Sequence, residues 1–192
     1  KDMLKNNNEA YFTDLLGLCS SMMQKIVTLP QPVIAQVQGI ATAAGCQLVA
    51  TCDLAVAGES SIFATNGIVN GLYCATPSVA VSRVVPKKVA MEMLLTGDFI
   101  SSEKAEKIGL INKVTPDKNV AEETRLLAQK IAEKSQFAVR LGKRSFNEQS
   151  GKPLTEAYAQ TSADLVCNLL APDGQEGLNA FSEKRQPKWE DA

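Results

Sequence analysis

Few arrangements accept the segment from Pro32 to Gly58, PVIAQVQGIATAAGCQLVATCDLAVAG, and the rest of the chain must be built around it. A compact apolar run, Val33-Ile34-Ala35-Gln36-Val37, lies between Pro32 and Gly39, the size and composition of a strand buried on both faces. Tiny residues follow, Ala41-Thr42-Ala43-Ala44-Gly45, and then Cys46 to Cys52, long enough for a short helix. Leu54-Ala55-Val56-Ala57 reads as a second apolar strand directly after Asp53. The spacing predicts a strand, a small-residue turn, a helix and a strand. Where a strand hands over to a helix, the first backbone N–H groups have no internal partner and carry partial positive charge. With almost no side chain in the way, an anion or a polarised carbonyl reaches them, which makes the turn a candidate oxyanion hole. Small residues at such a turn also serve close packing of the helix on the strand. The residues alone admit both readings.

At 192 residues the chain suits one domain, alone or with a helical appendage. Its 20 basic and 21 acidic residues offer no basic field to nucleic acid, and three Tyr and one Trp are too few for a base-stacking surface. No apolar run approaches the roughly 20 residues that span a bilayer. The cysteines (Cys19, Cys46, Cys52, Cys74 and Cys167) form no Cys-x-x-Cys pair and three lie in apolar segments, which points to a reducing compartment. Histidine is absent. Within this chain that excludes Ser-His-Asp and Cys-His nucleophilic catalysis and any His-ligated metal. Chemistry falls to carboxylates, amides, backbone groups or water.

Along the chain, the Asn-rich start to Asn8 suggests a loop or frayed helix, and apolar spacing from Phe12 to Ile26 predicts an amphipathic helix from Glu9 to Leu29. A short strand is expected at Ile62–Ala64, then a loop containing Gly67 and Gly71. Thr76-Pro77 reads as N-cap and first helical residue of a helix ending at Pro86. A second helix should run from Lys87 to Thr96, closed by Gly97, and a short one from Ser101 to Gly109. A strand is expected at Leu110–Val114, and helices at Val120–Lys134, Gln136–Gln149, Leu154–Leu170 and Gly174–Lys184. Strands alternate with helices in the first two thirds and only helices follow, an α/β layer with a helical extension. The expected division is 1–130 for the α/β core and 131–192 for the helical region.

The organising segment is followed by Met93-Leu94-Leu95-Thr96-Gly97, by Ala105-Glu106-Lys107-Ile108-Gly109-Leu110-Ile111 and by Glu176-Gly177-Leu178-Asn179-Ala180-Phe181-Ser182-Glu183-Lys184-Arg185. Over about Leu29 to Trp189 this pattern resembles the enoyl-CoA hydratase/isomerase (crotonase) superfamily, and within it a mitochondrial group. The resemblance implies a ClpP/crotonase-like spiral of ββα units with C-terminal helices that build homotrimers or hexamers. It implies an acyl-CoA thioester as substrate or ligand, no other cofactor, no metal, and a mitochondrial matrix location. The thioester carbonyl would rest on two backbone amides. One maps onto Ala44, flanked by Ala43 and Gly45, and the other belongs to an upstream segment. Family domains are longer, so about two ββ units are expected before Lys1.

Hydratases of this family use two glutamates, because one proton must leave water and another must reach carbon. Their positions correspond to Gln47 and Gly67. A carboxamide orients water but accepts no proton at neutral pH, and glycine offers nothing. Gln47 either bonds a neighbouring backbone group or positions water or substrate. Asp53 reads as a turn or capping residue and Glu59 as solvated. Tyr73 and Cys74 would border the acyl pocket, the thiol without a base to activate it. Ser78 either lines that pocket or only follows the N-cap. Phe181 and Lys184, with Arg185, Lys188 and Trp189 nearby, match positions where the family reaches the CoA moiety; without the resemblance they read as a solvated basic helix end. The reading is an acyl-CoA-binding hydratase/isomerase-like enzyme lacking both glutamates, or a non-catalytic acyl-CoA-binding or regulatory protein of that fold.

Overall fold

Gly39 turns the chain at φ 83°, and that turn lets one apolar segment supply two strands rather than one. The computed structural model describes residues 2–190. Helix α1 (Asp2–Lys5) and the long α2 (Glu9–Thr28) come first, followed by β1 (Ile34–Val37), β2 (Ile40–Thr42), α3 (Ala44–Thr51), β3 (Leu54–Gly58) and β4 (Ile62–Ala64). A 3-10 turn at Asn66–Asn70 leads to α4 (Ala75–Val84) and α5 (Lys87–Thr96), then β5 (Ile100–Ser101), α6 (Ser102–Lys107) and β6 (Lys113–Thr115). The remaining helices are α7 (Val120–Ala132), α8 (Gln136–Gln149), α9 (Leu154–Leu170) and α10 (Pro172–Glu183).

The strands form two sheets, in the orders β1-β3-β6 and β2-β4-β5. β1 and β3, β3 and β6, and β2 and β4 are parallel, while β5 closes its sheet antiparallel to β4. Each pass of the chain lays one strand in each sheet, the step of a ββα spiral. Two sequence readings are corrected here. Ala41 and Thr42 are not turn but strand, because β2 registers Ala41 opposite Phe63 and Thr42 opposite Ala64. The strand expected at Leu110–Val114 begins only at Lys113. The amides of Leu110 and Ile111 both donate to the Ala105 carbonyl, closing α6, and so cannot join the sheet.

The chain divides into two units. The first holds the residues up to Thr28 with Val33–Glu123. Its core gathers both sheets and the helices between them, with Cys46, Val56, Ala57, Phe63 and Val81 wholly buried. Burying a large apolar side chain such as Phe63 or Val81 yields roughly 1.5–3 kcal/mol, and the sum of such burials is what chiefly holds the spiral together. Of α2 only Met23 is buried, while Leu16, Leu18 and Met22 stay exposed. The N-cap expected at Thr76 is instead Cys74, two residues earlier, since the first bond of α4 runs from the Ser78 amide to the Cys74 carbonyl. Pro77 then sits inside the first turn, where its missing N–H has no partner to lose.

The second unit comprises Leu29–Pro32 with the chain from Thr124 onward. α8, α9 and α10 pack on one another around Leu141, Ala157 and Ala180. α10 begins at Pro172 rather than Gly174, with proline at its first position. After α10 the chain turns through Lys184 (φ 55°) and folds back. Arg185 pairs with Glu176 at 2.6 and 2.8 Å and with Glu183 at 2.5 Å, and the Lys188 amide donates to Glu176 Oε1. The Trp189 indole donates to the Glu133 carbonyl. Its hydrogen bonds with Arg185 and the Lys188 amide hold the Glu176 carboxyl down at about 2. A depressed carboxylate stabilises this fold-back above its ordinary range and loses that contribution as pH falls toward about 2. Trp189 is the sole tryptophan, so its fluorescence reports the segment alone. Glu176→Gln is expected to red-shift that emission and raise its quenching by acrylamide at neutral pH. An unchanged spectrum would show that the ion pairs do not hold the segment.

Candidate functional site

The site begins with a strained alanine. Ala43 adopts φ 48°, ψ −114°, a conformation that costs a residue with a Cβ on the order of 1–3 kcal/mol. Its N–H donates to the Ala64 carbonyl at 3.0 Å, so the strain is held by the pairing of β2 with β4. Its carbonyl accepts from the Gln47 amide at 2.9 Å, the first bond of α3. Ala43 is the single residue between β2 and α3, and it supplies no capping side chain. The amides of Ala44, Gly45 and Cys46 have no hydrogen-bond acceptor among the described residues. A Cβ built on Gly45 would meet nothing within 4 Å. Packing does not require glycine there.

Gln47 follows within the same turn. It is only 5% exposed, yet its carboxamide has no hydrogen-bond partner among the described residues. The alternative in which it bonds a neighbouring backbone group is thereby removed. At the end of β4, Thr65 is wholly buried with its hydroxyl unpartnered. The Thr42 hydroxyl bonds the Asn66 side chain, tying the 3-10 turn to the strand that feeds α3. Thr65, Thr42 and Asn66 are contributions that sequence reading missed. No spacing rule reports a buried hydroxyl without a partner.

Gly67 lies in the 3-10 turn, and its N–H donates to Cys74 Sγ at 3.3 Å. A Cβ at this position would stand 2.5 Å from the Leu72 carbonyl oxygen and 2.8 Å from Cys74 Sγ. The loop has closed over the place where a side chain would leave the backbone. Tyr73 is half exposed on that loop, and the Ser78 hydroxyl is spent on its own turn, donating to the Ala75 carbonyl at 2.7 Å. Asp53 Oδ2 accepts from the Val33 amide at 2.7 Å, and Glu59 is exposed, so neither carboxylate is aimed at the α3 start. Among the described residues no group of three or more His, Cys, Asp or Glu is arranged to hold a metal. No described helix is long and apolar enough to cross a membrane.

Burial pushes the Cys46 thiol up to about 12, with nearby Cys74 adding to the effect. A thiol so raised favours the folded state up to about pH 9, and the contribution fades as pH climbs toward 12. Exposed Cys167 should therefore react first with a thiol reagent in the native protein, and Cys46 only on unfolding. Rapid native labelling of Cys46, mapped by mass spectrometry, would contradict its burial. In the second unit Phe181 is 86% exposed and Lys184 is exposed, while Arg185 is committed to carboxylates and Trp189 lies against Gly177. Of the basic cluster, Arg185 is thus removed as a free cation.

The family model for enoyl-CoA hydratase/isomerase matches residues 1–192. The chain belongs to the enoyl-CoA hydratase/isomerase family, and its fold is the crotonase fold. It is 49% identical over 189 residues to the mitochondrial enoyl-CoA hydratase domain-containing protein 3 of Xenopus laevis, a match covering 98% of this chain and 64% of that protein. The crystal structure of the human protein of that name superposes with a TM-score of 0.92 at 49% identity, over 97% of this chain and 75% of the other. An enoyl-CoA hydratase from Mycobacterium smegmatis superposes with a TM-score of 0.93 at 46% identity, over 95% of this chain and 71% of the other. The chain thus spans somewhat less than two thirds of the Xenopus relative.

Proposed function

We propose that the chain binds an acyl-CoA thioester with the carbonyl oxygen on the amides that open α3, and acts as a hydratase/isomerase-type enzyme of fatty acid metabolism with altered acid–base chemistry. The observation that carries this is the row of unpartnered N–H groups at Ala44, Gly45 and Cys46, with open space before Gly45. Donors fixed in advance stabilise the charge that grows on a thioester oxygen when the neighbouring carbon loses a proton, and they need no reorganisation to do so. Tyr73 and Ser78 would border the acyl group, and an upstream segment would supply the second amide. Phe181 and Lys184 of a neighbouring subunit would meet the CoA moiety, an aromatic for the adenine and a cation for the phosphates. The relatives named mitochondrial support a mitochondrial location. The exposed apolar residues of α8–α10, among them Phe146, Leu154, Tyr158 and Leu170, support assembly into a homotrimer or hexamer.

Ordinary two-carboxylate hydration is not part of this function, because Gln47 and Gly67 stand where the acid and base would be. The lack of a side chain at Gly67 favours a second reading, an acyl-CoA-binding or regulatory protein that does no chemistry. Calorimetry with crotonyl-CoA, followed by product analysis, tests both. Binding with slow or absent hydration fits the proposal, and isomerised product selects the enzyme over the binder. No binding of any acyl-CoA removes both, and hydration at ordinary hydratase rates would show that the missing carboxylates do not matter.

A further inference from the structure

Both backbone groups of Gly67 are taken up by the short segment that follows the 3-10 turn. The Gly67 N–H donates to Cys74 Sγ at 3.3 Å, and its carbonyl accepts from the Leu72 amide at 3.0 Å. Sulfur is a weak acceptor, so the first of these bonds is a poor use of a backbone donor. A better acceptor lies close by in the chain. Thr65 occupies the N-cap of the 3-10 turn, where a threonine hydroxyl ordinarily accepts from the amide two or three residues on, here Gly67 or Ile68. It makes no such bond, and its hydroxyl is wholly buried without a partner. An unpaired interior hydroxyl carries a cost that a valine of the same shape would not. Two acceptors thus compete for one N–H, and the weaker one holds it.

We propose that Gly71–Cys74 is a strap with two hydrogen-bonded states, and that the Gly67 N–H passes from the Cys74 thiol to the Thr65 hydroxyl when the strap lifts. Gly71, at φ 74° with open space at its Cβ position, is the hinge at one end. At the other end the Cys74 carbonyl stays fixed as the acceptor of the Ser78 amide, so only the thiol swings. Leu72 and Tyr73 between them are half or more exposed, and lifting them gives up little apolar contact. The base stays in place: the Asn66 side chain is bonded to the Thr42 hydroxyl, and the Ile68 and Val69 side chains lie beside Gly97. Lifting releases the Leu72 amide and carbonyl to water and removes both atoms that crowd a Cβ at Gly67. The hydroxyl gains its partner as the thiol loses one, which keeps the two states close in energy. Nothing in this exchange needs a ligand. Tyr73 rides on the strap, so the state of the strap also sets what borders the acyl group in the function proposed above.

The test reads the strap in the protein without any acyl-CoA, so its outcome is separate from that of the proposed function. Lifting exposes the Cys74 thiol, and labelling by a thiol reagent, mapped by mass spectrometry, measures how often that happens. Cys74 should label more slowly than exposed Cys167 and at least about tenfold faster than Cys46, which waits for unfolding. Thr65→Val keeps the shape and removes the acceptor. Its Cys74 labelling should slow by roughly 2- to 12-fold, the weight of one ordinary hydrogen bond, with no faster labelling of Cys46 and no fall in melting temperature. Thr65→Ser keeps the hydroxyl and should keep most of the rate. Amide exchange followed by NMR gives a signature that a purely structural threonine would not: the Gly67 N–H should outlast that of Leu72 in the parent chain, and the two should exchange together in Thr65→Val. If Cys74 labels only as fast as Cys46, the strap does not lift. If Thr65→Val leaves either Cys74 labelling or Gly67 exchange unchanged, Thr65 is not the second acceptor. Either result overturns the proposal.

Discussion

Replacing Gly45 with leucine is expected to weaken acyl-CoA binding by roughly a hundredfold or more without lowering the melting temperature, because it places bulk against the ligand and not against the fold. The two effects separate because Gly45 has no neighbour within 4 Å of its Cβ position while sitting second in an eight-residue helix. Glycine in a helix is about 1 kcal/mol less favourable than a good helix former, so leucine should if anything raise stability. The added side chain is expected to crowd the space before the amides of Ala44, Gly45 and Cys46, where the thioester oxygen is proposed to sit. Gly45→Ala provides the graded control: a small gain in melting temperature and an intermediate loss of affinity. Thermal unfolding beside calorimetry reads both. If Gly45→Leu binds crotonyl-CoA as tightly as the parent chain, the carbonyl is held elsewhere.

A glutamate restored at position 67 is expected to unfold the loop before it creates any catalysis. Gly67→Ala already brings a Cβ to 2.5 Å from a backbone oxygen, that of Leu72, which cannot swing aside as a side chain would. Overpacking of this kind costs about 1–3 kcal/mol, and at about 2–4 °C per kcal/mol the melting temperature should drop by several degrees. Cys74→Ala removes the second clash, at Sγ, but leaves the first, so it should not rescue the variant. Gln47→Glu combined with Gly67→Glu should accordingly show no ordinary hydration of crotonyl-CoA. An unaltered melting temperature in Gly67→Ala would mean that residues 67–74 yield easily and that the position is open to a side chain after all.

Periodicity and punctuation located the helices of this chain well. Gln136–Gln149 and Leu154–Leu170 were legible to the residue, since proline, serine and polar breaks frame each one. The strands were less legible, because strands of two to five residues carry little pattern. β5 escaped notice entirely, and Ala41-Thr42 looked like turn because alanine says nothing about pairing until Phe63 and Ala64 arrive beside it. The start of α4 was misjudged for a related reason: Thr76-Pro77 is a strong local signal, but the bond from Ser78 back to Cys74 overrides it.

What the sequence determined by itself was the kind of site: small residues at a strand-to-helix junction, no histidine, and an amide and a glycine at Gln47 and Gly67. Those are statements about which atoms exist, and no folding can add a carboxylate that the chain does not encode. Tertiary structure alone decided which atoms are left over. Pairing of Ala43 with Ala64 forces the strained turn that opens α3 on three unpartnered amides. Closure of Leu72 and Cys74 over Gly67 turns a missing side chain into a forbidden one. Burial without a partner makes the Thr65 hydroxyl an unsatisfied group. Hydrogen-bond satisfaction depends on neighbours distant in sequence, and for that reason the chain's donors could be named from its residues while their availability could be read only from the fold.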